Sequence, residues 1–167
     1  MLGRCQTLLM LIERFMMSKT TAMVVFVPDP FIALAFKKCL PNLGVDQLLV
    51  QVNGARKHIV DYIANIYKDH KVIKHYDHSN QGIGFDELYP YAKGDVLITL
   101  CSDNFVFNKE VIKTYVDMIP EFDAVGSKGL HATPPYVADE IAEKLGTVRL
   151  NPFMSFWNKK KLINKLR

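Results

Sequence analysis

A cluster of small polar residues follows a buried segment near the middle of the chain. Residues 95–100 are nearly all apolar or β-branched, which is typical of a central strand covered on both faces. The polar sequence Cys101-Ser102-Asp103-Asn104 follows directly. Because hard cations such as Mg²⁺ and Mn²⁺ prefer carboxylate oxygens, Asp103 is a candidate metal ligand. The alternative is structural, since a loop carboxylate can also cap a turn.

Two other groups of residues have the composition of a cofactor or metal site. Gly82-Ile83-Gly84 follows a predicted strand, but Glu87 stands where a dinucleotide-binding fingerprint needs its third glycine. The glycines fit a tight turn with close backbone approach better. His75 and His78 flank Asp77, but on an extended strand the two imidazoles point to opposite faces. Zinc binding there needs an intervening turn, and a polar strand end is the simpler interpretation.

Several common catalytic signatures are absent from the sequence. It contains neither the P-loop pattern G-x-x-x-x-G-K-[ST] nor the nucleophile pattern G-x-S-x-G. Cys101 therefore fits a small buried or pocket-lining residue better than a nucleophile. The three cysteines, Cys5, Cys39 and Cys101, are odd in number and widely spaced. This spacing indicates reduced thiols and predicts a cytoplasmic protein.

Length and charge limit the classes of protein. A chain of 167 residues favours one domain, and a net charge of +4 is too weak to indicate a nucleic acid partner. Residues 159–167 are strongly basic, either as a solvated helix face or as a contact with phosphate or an anionic membrane surface. Residues 1–17 are predicted to be an N-terminal extension or an amphipathic helix, with peripheral membrane contact as one option. Their apolar stretch is too short for a signal peptide or a membrane span. Residues 18–167 then form a single domain.

Apolar periodicity and turn residues predict an alternation of strands and helices. The predicted strands are 22–27, 47–52, 71–76, 95–100, 122–126 and 148–157. The predicted helices are 31–40, 55–68, a short helix before Gly94, 109–119, 134–145 and 159–166. This order predicts an α/β fold with a mainly parallel sheet, right-handed crossovers and helices on both faces.

Polar residues or turns follow each of the first four predicted strands. Asp29, Asn53 and Asp103 follow the first, second and fourth strands, and Asn80 with Gly82 follows the third. The carboxyl ends of parallel strands share one edge of a sheet, and open α/β folds bind ligands at that edge. The sequence therefore predicts a small-molecule site where these residues converge.

Taken in order, these segments resemble the nucleotide-sugar domain of GT-A glycosyltransferases of the family-2-like group. The matching motifs are Phe26-Val27-Pro28, Val52-Asn53-Gly54, Asn80-Gln81-Gly82 and the stretch from Ala92 through Gly94-Asp95 to Asp103. The match covers about residues 22–124 and extends more loosely beyond, as in a short or truncated member. The resemblance implies a Rossmann-like GT-A nucleotide-sugar-binding fold. It also implies metal-assisted, inverting transfer of a sugar from a nucleotide-diphosphate donor to an acceptor hydroxyl.

The resemblance implies roles for particular positions. The implied donor-binding residues are Pro28, Asp29, Asn53, Asn80, Gly82, Ser102 and Asp103. The first three would border or lie near the nucleoside base, and the next two would begin the wall against ribose and diphosphate. Cys101-Ser102-Asp103 falls on the D-x-D motif, which makes Asp103 the ligand of Mn²⁺ or Mg²⁺. Cys101 and Val52 depart from the family pattern, because acidic residues are common at both positions.

The resemblance does not identify the catalytic base or the acceptor, which could be a glycan, a lipid or a protein. Asp139 and Glu140 form an acidic pair, but their predicted helix makes a solvated face the simpler interpretation. His131 could line the acceptor side. One alternative function is a non-catalytic nucleotide-sugar-binding module or subunit. A third is a sugar-phosphate nucleotidyltransferase, although residues 28–31 lack the usual glycine-rich basic loop.

Overall fold

The computed structural model describes residues 19–77, 81–128 and 150–165. Within them, six strands form one sheet in the order β3-β2-β1-β4-β6-β5. The strands are β1 (Thr20–Phe26), β2 (Gln47–Asn53), β3 (Lys71–His75), β4 (Val96–Cys101), β5 (Ala124–Lys128) and β6 (Leu150–Asn158). The helices are α1 (Pro30–Leu43), α2 (Lys57–Ile66), α3 (Gln81–Leu88), α4 (Lys109–Met118) and α5 (Lys159–Lys165), with a 3₁₀ turn at Tyr89–Tyr91. The predicted α/β architecture is confirmed.

The sheet is mainly parallel, with one reversed strand. β1 lies between β2 and β4 and is parallel to both, and β3 continues the parallel set beyond β2. β6 is antiparallel to β4 on one side and to β5 on the other. The apolar pattern predicted a strand at this position but not its direction, because a buried strand has the same composition in either direction.

Both faces of the sheet are covered by helices. On one face, α1, α2 and α4 pack over a large core in which the Phe26 ring lies 5.4 Å from Phe36 and 4.9 Å from Tyr67. The buried Tyr67 hydroxyl donates a hydrogen bond of 2.6 Å to the Ala33 carbonyl oxygen. On the other face, α3 and the 3₁₀ turn cover a smaller cluster that includes Met23 and Leu97. Alternate residues of β1 and β4 therefore serve two cores, as expected for central strands.

Helix α1 extends further than predicted. The sequence predicts an end at residue 40 because Pro41 follows, but the helix continues through Pro41 to Leu43. A proline in the last turn costs a hydrogen bond to the carbonyl of Lys37. Leu43 is buried in the core, and Gly44 ends the helix in the left-handed conformation at φ 58°. Burial and the glycine cap together outweigh the lost bond.

Gly94 fixes the approach of β4 to the start of β1. Its N–H donates a 2.8 Å hydrogen bond to Thr21 Oγ1, and an added Cβ would lie 2.7 Å from both the Lys19 carbonyl oxygen and the Thr21 nitrogen. We expect Gly94→Ala to lower the free energy of unfolding by about 1–3 kcal/mol, because backbone atoms cannot move aside easily. Urea denaturation measures this effect. Gly44→Ala strains only a positive φ, because the added Cβ would meet no atom closer than Lys109 Cβ at 4.0 Å, and it should cost about 1 kcal/mol; a larger loss there would contradict the argument.

The lysines at the start of α5 contact the edge of the sheet where β4 begins. Lys160 Nζ lies 3.3 Å from Asp95 Oδ1, and Lys161 Nζ lies 3.8 Å from Asp123 Oδ1. The Lys159 backbone N–H donates to the Asp95 carbonyl oxygen at 2.9 Å. This edge is opposite the one reached by Cys101, so the three lysines do not border a ligand at the strand ends. No described helix combines the length and apolar character that crossing a membrane requires.

Candidate functional site

A cleft of about 310 Å³ opens at the carboxyl ends of β1, β2 and β4. Its apolar wall comes from residues 25–28 and from Ile32 at the start of α1. Its polar wall comes from Asn53, Gln81 and residues 101–103. The structure therefore brings together Asn53 and Asp103, which strand order placed at one sheet edge, with Pro28 and Ser102, which the resemblance assigned to the donor site. Their role in donor binding is still a prediction.

The turn after β1 shapes the apolar wall. Asp29 Oδ1 accepts hydrogen bonds from the N–H groups of Phe31 at 2.8 Å and Ile32 at 3.2 Å, so this carboxylate caps helix α1. Asp29 does not line the cleft, and its structural role is to fix the helix that carries Ile32. Pro28 packs against Gly54, where an added Cβ would lie 2.7 Å from the Pro28 Cβ. Only glycine at position 54 lets the ends of β1 and β2 approach this closely.

Asn53 ends β2 with an unpaired acceptor. The residue is 6% exposed, and its Oδ1 is buried without a hydrogen-bond partner in the described structure. An unsatisfied buried polar atom costs about 1–3 kcal/mol, so such atoms call for an explanation. Asn53 lines the cleft, and a rotation of its side chain that exposed Oδ1 would let an N–H group of a bound ligand supply the missing partner.

The turn that follows β4 carries a charged residue of the cleft, Asp103. Ser102 is buried and Asp103 is exposed, in a turn closed by a 3.1 Å hydrogen bond from the Asn104 N–H to the Cys101 carbonyl oxygen. Asp103 is the one charged residue among the described residues that line the cleft. Within the described ranges, no group of three or more His, Cys, Asp or Glu side chains could hold a metal ion. A cation held by Asp103 would have to take its remaining ligands from the bound molecule and water.

Gln81 is a cleft residue that the sequence did not single out. It begins α3, and its Nε2 donates a 2.8 Å hydrogen bond to Cys101 Sγ, so it ties α3 to β4. The one feature of the sequence that indicated a site role for Gln81 was its position between Asn80 and Gly82. Gly82 lies in the first turn of α3 and is exposed. Asn80 lies outside the described residues.

The prediction that Gly82 and Gly84 form a tight turn is wrong, because both lie within α3. Close backbone approach is confirmed for Gly84, where an added Cβ would lie 2.0 Å from Gln51 Oε1 and 2.7 Å from Val25 Cγ2. A helix can tolerate glycine where a side chain would collide with the sheet beneath it. Gly84 therefore lets α3 lie directly on β1 and β2.

The candidate residues for the acceptor side, His131, Asp139 and Glu140, lie outside the described residues, as does His78. The described residues on either side of that segment are Lys128 and Leu150, which pair across β5 and β6. This pair lies at the same edge of the sheet as Asp103, because β6 runs from Leu150 past Met154, the partner of Leu100. The roles of the three candidates remain predictions.

Cys101 provides a chemical probe of the cleft. Burial raises the pKa of its thiol, the hydrogen bond from Gln81 lowers it, and the charge of Asp103 raises it further, with a net upward shift. Because only the thiolate reacts with iodoacetamide, we expect alkylation of Cys101 to reach half its maximal rate at a higher pH than in the urea-unfolded chain. Mass spectrometry of the Cys101 peptide measures both profiles. A midpoint pH in the folded protein at or below that of the unfolded chain would contradict the upward shift of the Cys101 pKa.

The chain resembles no protein-family model, and no curated protein sequence matches it. Its similarity is to solved structures. The mannosyltransferase PcManGT from Pyrobaculum calidifontis, in complex with GDP-Man and Mn²⁺, superposes with a TM-score of 0.61 at 10% identity. The match covers 92% of this chain and 48% of that one, so the chain spans about half the length of PcManGT.

Two further structures have the same core. Glucosyl-3-phosphoglycerate synthase from Mycobacterium tuberculosis, in complex with UDP, gives a TM-score of 0.62 at 13% identity, covering 86% of this chain and 57% of that one. The 4-diphosphocytidyl-2C-methyl-D-erythritol synthase from Anaerococcus prevotii DSM 20548 gives 0.54 at 13% identity, covering 87% and 73%. Identities this low establish the fold and not the activity. The chain has a Rossmann-like GT-A fold.

Proposed function

We propose that the cleft binds a nucleotide-diphosphate sugar and that the protein is a GT-A, family-2-like glycosyltransferase. One observation carries the proposal. The cleft at the carboxyl edge of the sheet combines the buried, unpaired Oδ1 of Asn53 with the exposed carboxylate of Asp103. A nucleoside base offers N–H donors, and a diphosphate attracts a divalent cation, so one ligand class satisfies both groups.

Different residues of the cleft bind different parts of the donor. Asn53 accepts an N–H of the base, while Pro28 and Ile32 provide an apolar wall for the base and ribose. Asp103 holds Mn²⁺ or Mg²⁺, which, when bound, neutralises the charge that develops on the departing diphosphate. The described lining residues include no lysine or arginine. In this part of the cleft, the positive charge that faces the diphosphate therefore comes from the cation. The structures with GDP-Man and Mn²⁺ and with UDP support this assignment by similarity of fold.

Transfer itself is a further part of the proposal. An acceptor hydroxyl attacks the anomeric carbon as the bond to the diphosphate breaks, with inversion of configuration. His131, Asp139 and Glu140 are the candidates to accept the hydroxyl proton.

Turnover can be tested with a panel of nucleotide-diphosphate sugars in Mn²⁺, with released nucleoside diphosphate measured by chromatography. We expect release from at least one donor, by transfer or by slow hydrolysis, and loss of release with EDTA. Binding without release over hours would favour the non-catalytic module instead. No binding of any donor would overturn the proposal.

A second candidate is a nucleotidyltransferase acting on a sugar phosphate or a related phosphate. The observation that favours it is the fold match to the 4-diphosphocytidyl-2C-methyl-D-erythritol synthase from A. prevotii, of which the chain covers 73%. Against it, residues 27–31 after β1 contain no glycine and no basic residue to cradle a triphosphate. Release of pyrophosphate from CTP or UTP in the presence of sugar phosphates would identify this activity.

A further inference from the structure

Three polar side chains from three different elements meet beneath α3. The Glu87 carboxylate accepts a hydrogen bond from Gln51 Nε2, and its Oε2 lies 2.7 Å from His75 Nε2. Gln51 is fully buried in the middle of β2, while His75 ends β3 with its Nδ1 3.7 Å from Asp77 Oδ1. The Gln51–His75–Glu87 cluster thus joins α3 to two neighbouring strands.

The Gln51–His75–Glu87 cluster lies beside the smaller apolar core. Of the eight residues of α3, Gly84 and Leu88 are buried and Phe85 packs partly buried against the same core as Leu88, while Gly84 has no side chain to contribute. Its backbone lies directly against Gln51. Apolar burial normally holds a helix on a sheet, and here the two bonds to Glu87 add a polar attachment of α3 to β2 and β3.

The position of α3 matters because its first residue reaches the cleft. Gln81 lines the cleft and donates to the Sγ of Cys101, a residue that is 8% exposed. Glu87 stands near the other end of the same helix, so a shift of α3 moves Gln81 away from Cys101. We propose that Glu87 is a positioning residue, which acts through Gln51 and His75 to hold Gln81 against Cys101 and so to complete the polar wall of the cleft. The consequence for ligand binding rests on the proposed function; the consequence for Cys101 does not.

The test measures iodoacetamide alkylation of Cys101 in the ligand-free protein at one fixed pH, by peptide mass spectrometry. Cys39, on the buried face of α1, serves as the internal reference for opening of the rest of the fold. We expect Glu87→Ala to accelerate alkylation of Cys101 about tenfold and to leave Cys39 unchanged, because lost bonds to a charged group raise local opening by about that factor. Glu87→Gln should stay near the wild-type rate, since its side-chain carbonyl can accept the same two bonds. Asp86→Ala, at an exposed position on the same helix, is the matched control.

An unchanged Cys101 rate in Glu87→Ala, or an equal rise for Cys39, would overturn the proposal. His75→Leu gives a second variant on the edge strand if Glu87→Ala does not fold, with a smaller rise of about threefold expected; no rise there would also count against it. Affinity for a nucleoside diphosphate with Mn²⁺ is then measured on the same proteins, and Glu87→Ala should bind about tenfold more weakly. If the wild type binds no nucleotide while the Cys101 rates behave as expected, the proposed function fails and the positioning role stands.

Discussion

Replacing Asp103 with asparagine should raise the Kd for a nucleoside diphosphate in Mn²⁺ roughly a hundredfold, because this removes the carboxylate that would hold the cation. Asp103 is the only charged group among the described lining residues, so no neighbouring carboxylate within them can substitute. The side chain is exposed, and asparagine has nearly the same shape. The fold should therefore be unaffected. Isothermal titration calorimetry with and without Mn²⁺ measures the change.

The matched control is Asp117→Asn, a carboxylate on the exposed face of α4 that pairs with Lys113 Nζ at 2.7 Å. An exposed pair of this kind contributes little to stability, and Asp117 does not line the cleft. Its variant should bind like the wild type. If Asp103→Asn retains full Mn²⁺-dependent affinity, the cation is held elsewhere and the assignment of the site is wrong.

Phe156→Ala should lower the free energy of unfolding by about 3–5 kcal/mol, the usual cost of truncating a buried aromatic side chain. Phe156 is 0% exposed in the reversed strand β6, and its ring stacks on Tyr115 of α4 with centroids 4.9 Å apart. The substitution leaves a cavity between the sheet and α4 that neither rigid element can close. Urea denaturation with a constant m-value measures the loss.

Phe107→Ala provides the control for the same change of side chain. Phe107 is 78% exposed, so its truncation should change stability by no more than about 0.5 kcal/mol. A small effect of Phe156→Ala, comparable with that of Phe107→Ala, would mean that β6 does not occupy the interior of the sheet between β4 and β5.

The sequence predicted most of the fold because local signals and global topology agree. Runs such as residues 47–52 are apolar and β-branched, and turn residues separate them from helical patterns. Direction and small-scale packing were not predictable from these signals. The reversal of β6 depends on which neighbours it pairs with, and the need for glycine at position 84 depends on the side chain of Gln51 beneath α3.

The candidate site was predictable to the extent that it follows from topology. Asn53 ends β2 and Asp103 follows β4, the two parallel strands on either side of β1, so their meeting in one cleft follows from the strand order. The cap formed by Asp29 and the bond from Gln81 to Cys101 depend on the rotation of individual side chains. The Gln51–His75–Glu87 cluster joins residues 12 to 36 positions apart, which no local pattern reveals.

The central claim is that the cleft binds a nucleoside diphosphate through a divalent cation. It is tested most directly by thermal unfolding of the wild-type protein against a panel of nucleoside diphosphates, with Mn²⁺ and with EDTA. We predict that at least one nucleotide stabilises the protein by about 2.7 kcal/mol at a hundredfold excess over its Kd, and that EDTA removes the effect. A panel in which no nucleotide shifts the melting temperature, or in which the shift is the same in EDTA, would contradict the claim.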